Sequence, residues 1–204
     1  MRIIGLTGPT GAGKSTLCER FEALGIPCIN TDDIYHSITS HASPCVKELQ
    51  TKFGDEIIDE RGALDRVALA KIVFQGDNTE ENISSLNAIT HKYVWNETNS
   101  ILTQYQNRGK KLAVIDAPAL FSSKIFVDAC DLIISVICDK EIRIERLTKR
   151  DGISREKVLA RMSAQPSDEF FIENSDYYIR SENGKEDMIR QLDDIFEQEA
   201  INIK

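Results

Sequence analysis

A glycine-rich segment near the start of the chain carries the residue types that bind nucleotide phosphates. Gly8, Gly13, Lys14 and Ser15 fit the pattern G-x-x-x-x-G-K-[ST], which is typical of a phosphate-binding loop, or P-loop. Glycines let the backbone curl so that successive N–H groups face one anion, and the following helix adds its unpaired N–H groups. Lys14 supplies a charge for the β- and γ-phosphates, and the Ser15 hydroxyl is placed to bind Mg²⁺. A chance match is disfavoured because an apolar strand precedes the loop and a helix follows it.

Two aspartates follow apolar segments that read as strands. Asp32 comes at the end of the second such segment, next to the P-loop strand if the usual topology holds, where a carboxylate can accept the proton of an attacking hydroxyl. Its alternative role is to cap the next helix, which Thr31 or Asp33 could equally do. Asp116 closes the apolar run 112–116 and could bind Mg²⁺ directly or through water, or contact the acceptor. Its alternative role is purely in the turn that follows.

A basic segment stands out in an otherwise acidic chain. Residues 140–161 hold eight basic and four acidic side chains. Arg143, Arg146 and Arg150 have the spacing of one helical face, and Arg161 falls on the next predicted helix. Forked guanidinium groups suit phosphate oxygens and the spread charge of a transferring phosphoryl group. A solvated face paired with neighbouring glutamates is the alternative, but beside a P-loop the pattern favours a lid that closes over ATP.

Length and composition restrict the class of protein. The 204 residues suffice for one domain, and 41% hydrophobic with 28% charged residues is typical of a soluble globular chain. A net charge of −8 argues against nucleic-acid binding over the whole surface. The five scattered cysteines and three histidines predict reduced thiols and no zinc site. No apolar run approaches a membrane span, and the chain enters its first strand at Arg2, so we expect a cytoplasmic protein that contacts no membrane.

Strands that alternate with helices must position these side chains. The predicted strands are 2–6, 27–30, 112–116, 131–138 and 176–180. Six predicted helices have clear bounds, namely 14–24, 31–39, 43–53, 140–150, 154–164 and 185–199. Two more lie between 53 and 110: a short helix that starts at Asp65, and a long one that begins with an Asp77–Glu80 capping box and ends at Gly109. This order predicts a parallel α/β sheet covered on both faces, with the ligand at the carboxyl ends of its strands.

The class of P-loop protein can be narrowed further. A GTPase would need the guanine-reading pattern N-K-x-D, which does not occur, and a nucleic-acid motor would need a larger and more basic chain. What remains is a small kinase that transfers the γ-phosphoryl group of ATP to a small molecule, as a monomer or weak homo-oligomer. A non-catalytic ATP-binding relative is the alternative from a different class.

Short motifs along nearly the whole chain resemble one kinase family. They lie, in order, at 5–16, 21–25, 29–32, 53–54, 64–66, 73–74, 86–91, 115–120, 146–150 and 161–165. In order and spacing they resemble the dephospho-coenzyme A kinases, which phosphorylate the ribose 3′-hydroxyl of dephospho-CoA in the last step of CoA synthesis. The resemblance implies a P-loop kinase fold with a five-stranded parallel sheet. It implies one domain with a core of 1–32, 110–139 and 175–204, a helical acceptor-binding insertion at about 33–109 and a lid at about 140–165.

The resemblance also implies roles for individual residues. Asp32 would be the general base, assisted in catalysis by Lys14 and Arg146. ATP would be bound by Gly11, Ala12, Gly13, Lys14, Ser15, Thr16, Arg146, Arg150 and Arg161. The acceptor would contact Thr7, Asp32, Arg66, His91, Asp116, Pro118 and Leu120. Mg²⁺ would be bound by Ser15, with Asp116 as a second candidate.

Four motifs depart from the family pattern. Asn30 stands for the first aspartate of D-A-D, Lys92 for the proline of H-P, and Ser122 for the glutamate of P-L-L-F-E. Ser181 stands for the asparagine near the end of A-D-x-V-I-x-N. The first three fall around the acceptor, whereas the donor motif is intact. A kinase for another small acceptor, such as a nucleoside, nucleotide or sugar acid, therefore stays open.

Overall fold

A five-stranded parallel sheet forms the centre of the protein. The computed structural model describes residues 1–75 and 78–201. The strands are β1 (Arg2–Thr7), β2 (Cys28–Asn30), β3 (Leu112–Asp116), β4 (Leu132–Ile137) and β5 (Tyr177–Arg180). Their order across the sheet is β2-β3-β1-β4-β5. Every residue of β4 is buried, as expected for a parallel strand covered by helices on both faces. The predicted five-stranded parallel sheet is thus confirmed.

The strand order corrects one expectation. We expected Asp32 to follow a strand that pairs with the P-loop strand, but β3 lies between β2 and β1. The reason is physical: the apolar β3 fits the interior of the sheet, whereas β2 has three residues and forms a short edge. The register still brings the site together, because Asp116 is paired with Leu6 on one side and with Asn30 on the other.

The helices that surround the sheet largely match the predicted ones. The described residues form α1 (Lys14–Ala23), α2 (Thr31–Thr39), α3 (Pro44–Phe53), α4 (Arg66–Gln75), α5 (Thr79–Asn107), α6 (Lys124–Ala129), α7 (Lys140–Asp151), α8 (Arg155–Ser163), α9 (Asp168–Asn174) and α10 (Lys185–Gln198). The short helices α6 and α9 were not predicted. Asp77 lies outside the described residues, so its capping box stays a prediction.

Apolar packing divides the helices into groups. On one face of the sheet, α1 and α10 meet through Phe21 and Phe196, whose rings are 6.0 Å apart. On the other face, Trp95 of α5 packs edge-on against Phe126 of α6 at 5.4 Å. Helices α3, α4 and α5 share a separate apolar cluster, and α7 and α8 share a small one. Among the described residues, none of the helices has the length and apolar character that a membrane crossing requires.

Candidate active site

The P-loop connects β1 to α1 in a conformation that glycine allows. Gly8 has φ of 133°, and a Cβ atom there would lie 2.2 Å from the backbone oxygen of Val136 on β4. A side chain at this position would therefore push the loop off the sheet. Helix α1 has no side-chain cap at its N-terminus, so its first N–H groups remain available to an anion. The Lys14 Nζ donates a hydrogen bond to the Gly8 carbonyl at 2.9 Å, next to those N–H groups.

A cavity of about 660 Å³ lies over this loop and corresponds to the predicted donor site. We call it the donor cavity. Every predicted ATP-binding residue lines it: Gly11, Ala12, Gly13, Lys14, Ser15, Thr16, Arg146, Arg150 and Arg161. Gln165 and Ser181 line it too. Ser181 was noted in the sequence as a departure from the family pattern, but no role was predicted for it.

The arginines of the basic segment lie in two different surroundings. The Arg146 guanidinium donates to Ser181 Oγ at 2.8 Å and to the Ser181 carbonyl at 2.9 Å. Arg150 and Arg161 both pair with Asp151, at 2.7 and 2.6 Å. Arg143 does not share their exposed face, although its spacing suggested that it would. Its side chain is 6% exposed, because it packs against the P-loop.

A second cavity of about 220 Å³ adjoins the first, and we call it the acceptor cavity. Its walls are Thr31, Asp32, Tyr35, Leu86, Asn87, Thr90, His91, Val94, Ala117, Ala119, Leu120 and Phe126. An open cleft of about 770 Å³ continues from it, with Asn87 and His91 lining both. Asp32 lines the donor cavity as well as the acceptor cavity. Its carboxylate is therefore placed where the two substrates of a transfer reaction would meet.

Asn30, rather than an aspartate, caps the helix that carries Asp32. The Asn30 Oδ1 accepts hydrogen bonds from the backbone N–H groups of Asp32 at 2.9 Å and Asp33 at 3.1 Å. The alternative interpretation of Asp32 as the cap is therefore wrong. The carboxylate of Asp32 forms no hydrogen bond or salt bridge with the residues that the structure describes, and it is exposed to the cavities. It is thus available to a bound hydroxyl group.

Asp116 and Lys14 form the buried electrostatic centre of the site. Asp116 is 6% exposed, and its Oδ2 accepts from Asn30 Nδ2 at 3.3 Å. Its Oδ1 is buried without a hydrogen-bond partner among the described residues. Burial raises the pKa of Asp116, and the charge of Lys14 opposes that rise. Burial lowers the pKa of Lys14, and the charges of Asp116 and Asp32 oppose the decrease. Each group therefore favours the charged form of the other.

The donor set suits Mg²⁺ shared with a nucleotide. Ser15 lines the donor cavity, and Asp116 offers one carboxylate oxygen, Oδ1, that accepts no hydrogen bond from another described residue. The described residues contain no group of three or more histidine, cysteine, aspartate or glutamate side chains that could hold a metal. Mg²⁺ is commonly held by one or two carboxylates together with substrate phosphates and water, so these residues fit the ion.

The remaining predicted acceptor residues fall into different places. His91 and Leu120 line the acceptor cavity, whereas Pro118 lines the donor cavity. Thr7 is buried and donates to the Pro118 carbonyl at 3.3 Å. Arg66 lines neither cavity: its guanidinium lies 5.4 Å from the ring centre of Tyr35, which forms part of the acceptor wall. Thr7 and Arg66 are therefore placed to support the walls of the site.

Lys92 and Ser122, two residues that differ from the family pattern on the acceptor side, form hydrogen bonds with nearby residues. Lys92 pairs with Glu48 at 2.5 Å, and this hydrogen bond raises the pKa of Lys92. Ser122 donates to the Ala119 carbonyl at 2.6 Å and lies 3.5 Å from His91 Nε2. Burial lowers the pKa of His91, which favours its neutral imidazole. Tyr35 and Thr90 also line the acceptor cavity, but the sequence did not predict them. In a helix, neither residue by itself indicates catalysis or binding.

Comparison with known proteins adds evidence from outside the chain. A family model for dephospho-CoA kinase matches residues 2–187. A dephospho-CoA kinase from Bacillus cereus is 35% identical over 180 residues, or 88% of each chain. A crystal structure of a Thermus thermophilus protein has a TM-score of 0.78 at 29% identity, over 97% of each chain. For a dephospho-CoA kinase from Campylobacter jejuni the TM-score is 0.67 at 22% identity, also over 97% of each chain, which supports the fold.

Proposed function

The chain belongs to the dephospho-CoA kinase family, and on that basis we propose how its residues carry out the reaction. It is a kinase that phosphorylates the ribose 3′-hydroxyl of dephospho-CoA with ATP, which gives CoA and ADP as the last step of CoA biosynthesis. The observation that supports the assignment of residues best is the position of Asp32, which lines both the donor and the acceptor cavity. A cytoplasmic location and a monomeric or weakly associated state stay predictions.

The donor half of the site binds the triphosphate of ATP. The backbone N–H groups of Gly11, Gly13, Lys14 and Ser15 are available to the phosphates, and Lys14 adds a positive charge. Arg146, Arg150 and Arg161 face the same cavity from the lid side and spread positive charge over the transferring group. When bound, Mg²⁺ neutralises charge on the β- and γ-phosphates, and Ser15 with Asp116 would hold it.

The transfer step needs a base at the acceptor hydroxyl, and Asp32 supplies it. Its carboxylate takes the proton of the ribose 3′-hydroxyl as that oxygen forms a bond to the γ-phosphorus. The bond from the γ-phosphorus to the bridging oxygen breaks, and the electron pair leaves with ADP. Lys14 and Arg146 stabilise the charge on the phosphoryl oxygens during this exchange.

The acceptor half of the site suits an extended molecule with one end near Asp32. The acceptor cavity is mainly apolar, with Asn87 and His91 available for hydrogen bonds to a nucleoside. Beyond His91 it opens into the larger cleft, which leaves room for the long arm of dephospho-CoA. A small acceptor such as a sugar acid would leave that cleft unused.

An acceptor panel tests the proposal. Purified protein is supplied with Mg-ATP and one acceptor at a time: dephospho-CoA, adenosine, AMP or a sugar acid. ADP release is followed by a coupled assay, and the product is identified by its mass. We expect turnover with dephospho-CoA and formation of CoA. Folded protein that releases no ADP with dephospho-CoA, or that prefers another acceptor, would contradict it. ATP binding without transfer to any acceptor would favour the non-catalytic alternative.

A further inference from the structure

The outer part of the P-loop is a tight turn whose central peptide has two possible orientations. The Ala12 N–H donates to the Pro9 carbonyl at 3.2 Å, so Thr10 and Gly11 are the central residues of the turn. Gly11 has φ of 79°, which is typical of a type II turn. The type I turn with the same ends differs by a rotation of the Thr10–Gly11 peptide. Glycine permits both, so the turn alone does not fix the orientation.

The side chain of Arg143 fixes that peptide from outside the loop. Its Nε donates a hydrogen bond to the Thr10 carbonyl at 3.0 Å. Because a trans peptide is planar, the carbonyl of Thr10 and the N–H of Gly11 point in opposite directions. While Arg143 holds the carbonyl, the Gly11 N–H is turned away from Arg143. That N–H forms no hydrogen bond with another described residue, and Gly11 lines the donor cavity.

Other contacts hold the Arg143 side chain and the turn in place. Nη1 of Arg143 pairs with Asp168 of α9 at 2.9 Å, and the residue is 5% exposed. The Thr10 N–H donates to Gln165 Oε1 at 3.0 Å, which holds the preceding peptide as well. Rotation of the peptide would leave the Nε–H of the buried Arg143 and the part-buried Thr10 carbonyl without each other as partners, and unpaired polar groups of this kind lower stability.

We propose that Arg143 is a positioning residue for the phosphate site, which holds the Thr10–Gly11 peptide so that the Gly11 N–H faces the phosphates of ATP. The sequence did not assign this role, because the spacing of Arg143 with Arg146 and Arg150 suggested a shared face of the lid. It rests on the proposed function in one respect, namely that ATP occupies the donor cavity. Asp168 supports the role by orienting the guanidinium, and it forms no hydrogen bond with the described residues of the loop.

Three substitutions separate the contact with Thr10 from the ion pair with Asp168. Arg143→Gln places an amide nitrogen at the same bond position as Nε, without the charge. Arg143→Lys places a methylene there and keeps the charge opposite Asp168. Arg143→Met removes both the donor and the charge. We expect the Arg143→Lys and Arg143→Met variants to bind Mg-ATP at least about tenfold more weakly than wild type, on the scale of one charge-assisted hydrogen bond. The Kd of the Arg143→Gln variant should stay within about threefold of the wild-type value.

Calorimetric titration with Mg-ATP, without acceptor, measures these affinities, and thermal melts check the fold. Arg155→Met is the matched control, because Arg155 joins α8 to Glu141 of α7 at 2.8 Å without touching the P-loop. We expect it to leave ATP affinity unchanged. If Arg143 acted only through its ion pair with Asp168, the order would be reversed: the Arg143→Lys variant would bind Mg-ATP nearly as well as wild type, and the Arg143→Gln variant would bind it more weakly.

That reverse order, or variants indistinguishable from wild type, would overturn the proposal. If Arg143→Met does not fold, the order of Gln and Lys still decides it. Failure to phosphorylate dephospho-CoA would contradict the proposed function alone, since the ATP affinities are measured without that acceptor.

Discussion

At the scale of single residues, we propose that Asp32 is the point at which the two substrates meet. Its carboxylate lines both cavities, and Asn30 relieves it of the capping role. We expect Asp32→Asn to lower kcat about 100-fold or more, the usual contribution of a general base, while the affinity for ATP changes little. Steady-state kinetics with varied ATP and dephospho-CoA measure both quantities.

Asp33→Asn is the matched control for that substitution. Asp33 is the next residue on the same helical turn, and it lines neither the donor nor the acceptor cavity. We expect its kcat to stay near wild type. Equal kcat values for the two variants would show that Asp32 is not the base.

His91 gives a pH-dependent prediction. Burial lowers its pKa in the folded state, so the unfolded chain binds more protons at His91 once the pH falls below the ordinary histidine range near about 6.5. The folded state therefore loses stability as the pH falls through that range. We expect the wild type to lose more thermal stability between about pH 7.5 and 5.5 than His91→Gln, because the variant lacks this group. Parallel melts would contradict this role of burial.

At the scale of elements, the cap of α2 connects helix stability to catalysis. Asn30→Ala removes the side chain that accepts from two N–H groups at the start of the helix. We expect a loss of about 1 kcal/mol in the free energy of unfolding. Because Asp32 lies in the first turn, we also expect kcat to fall. Chemical denaturation and steady-state kinetics measure the two effects.

Ser43→Ala provides the matched control, since Ser43 caps α3 through Val46 at 3.2 Å and lines none of the cavities of the site. We expect a similar loss of stability with kcat unchanged. If both variants retained the wild-type kcat, the helix start would not position Asp32.

The elements also show what a sequence can predict. The apolar run before the P-loop and the Ser43-Pro44 start of α3 were recognised because local chemistry determines them. Helices α6 and α9 have six and seven residues, which is too short for a helical period to show. The place of β3 between β2 and β1 depends on pairing between distant segments. The cap at Asn30 could have been found, since asparagine is a favoured capping residue.

The site shows the same division between local and distant information. The residues from Gly11 to Thr16 follow from one motif, and they line one cavity. Arg143 has the spacing of its neighbours Arg146 and Arg150, yet it contacts Thr10. Spacing predicts which residues share a helical face, but the packing of that face against the P-loop decides which of them line the donor cavity.

At the scale of the whole molecule, we propose that α7 and α8 form the lid, and these two helices share a small apolar cluster. Ile144, Leu147 and Val158 form an apolar cluster separate from those of the sheet. Two salt bridges also join the helices, Arg155 with Glu141 and Arg161 with Asp151. Asp151 pairs with Arg150 too, and the hydrogen bond from Arg150 lowers the pKa of Asp151. A unit held together in this way can close over ATP and exclude water.

Arg161 and Arg155 allow a test of that closure, because each joins α8 to an acid of α7 and only Arg161 of the two lines the donor cavity. We expect Arg161→Met to raise the KM for ATP about tenfold, on the scale of one contact to phosphate, and Arg155→Met to leave it unchanged. Small-angle scattering with a bisubstrate analogue should show compaction for wild type and Arg155→Met, and less for Arg161→Met. Each variant loses one salt bridge between α7 and α8. If the two variants had the same KM for ATP and the same compaction, Arg161 would contribute only to stability and not to closure over ATP.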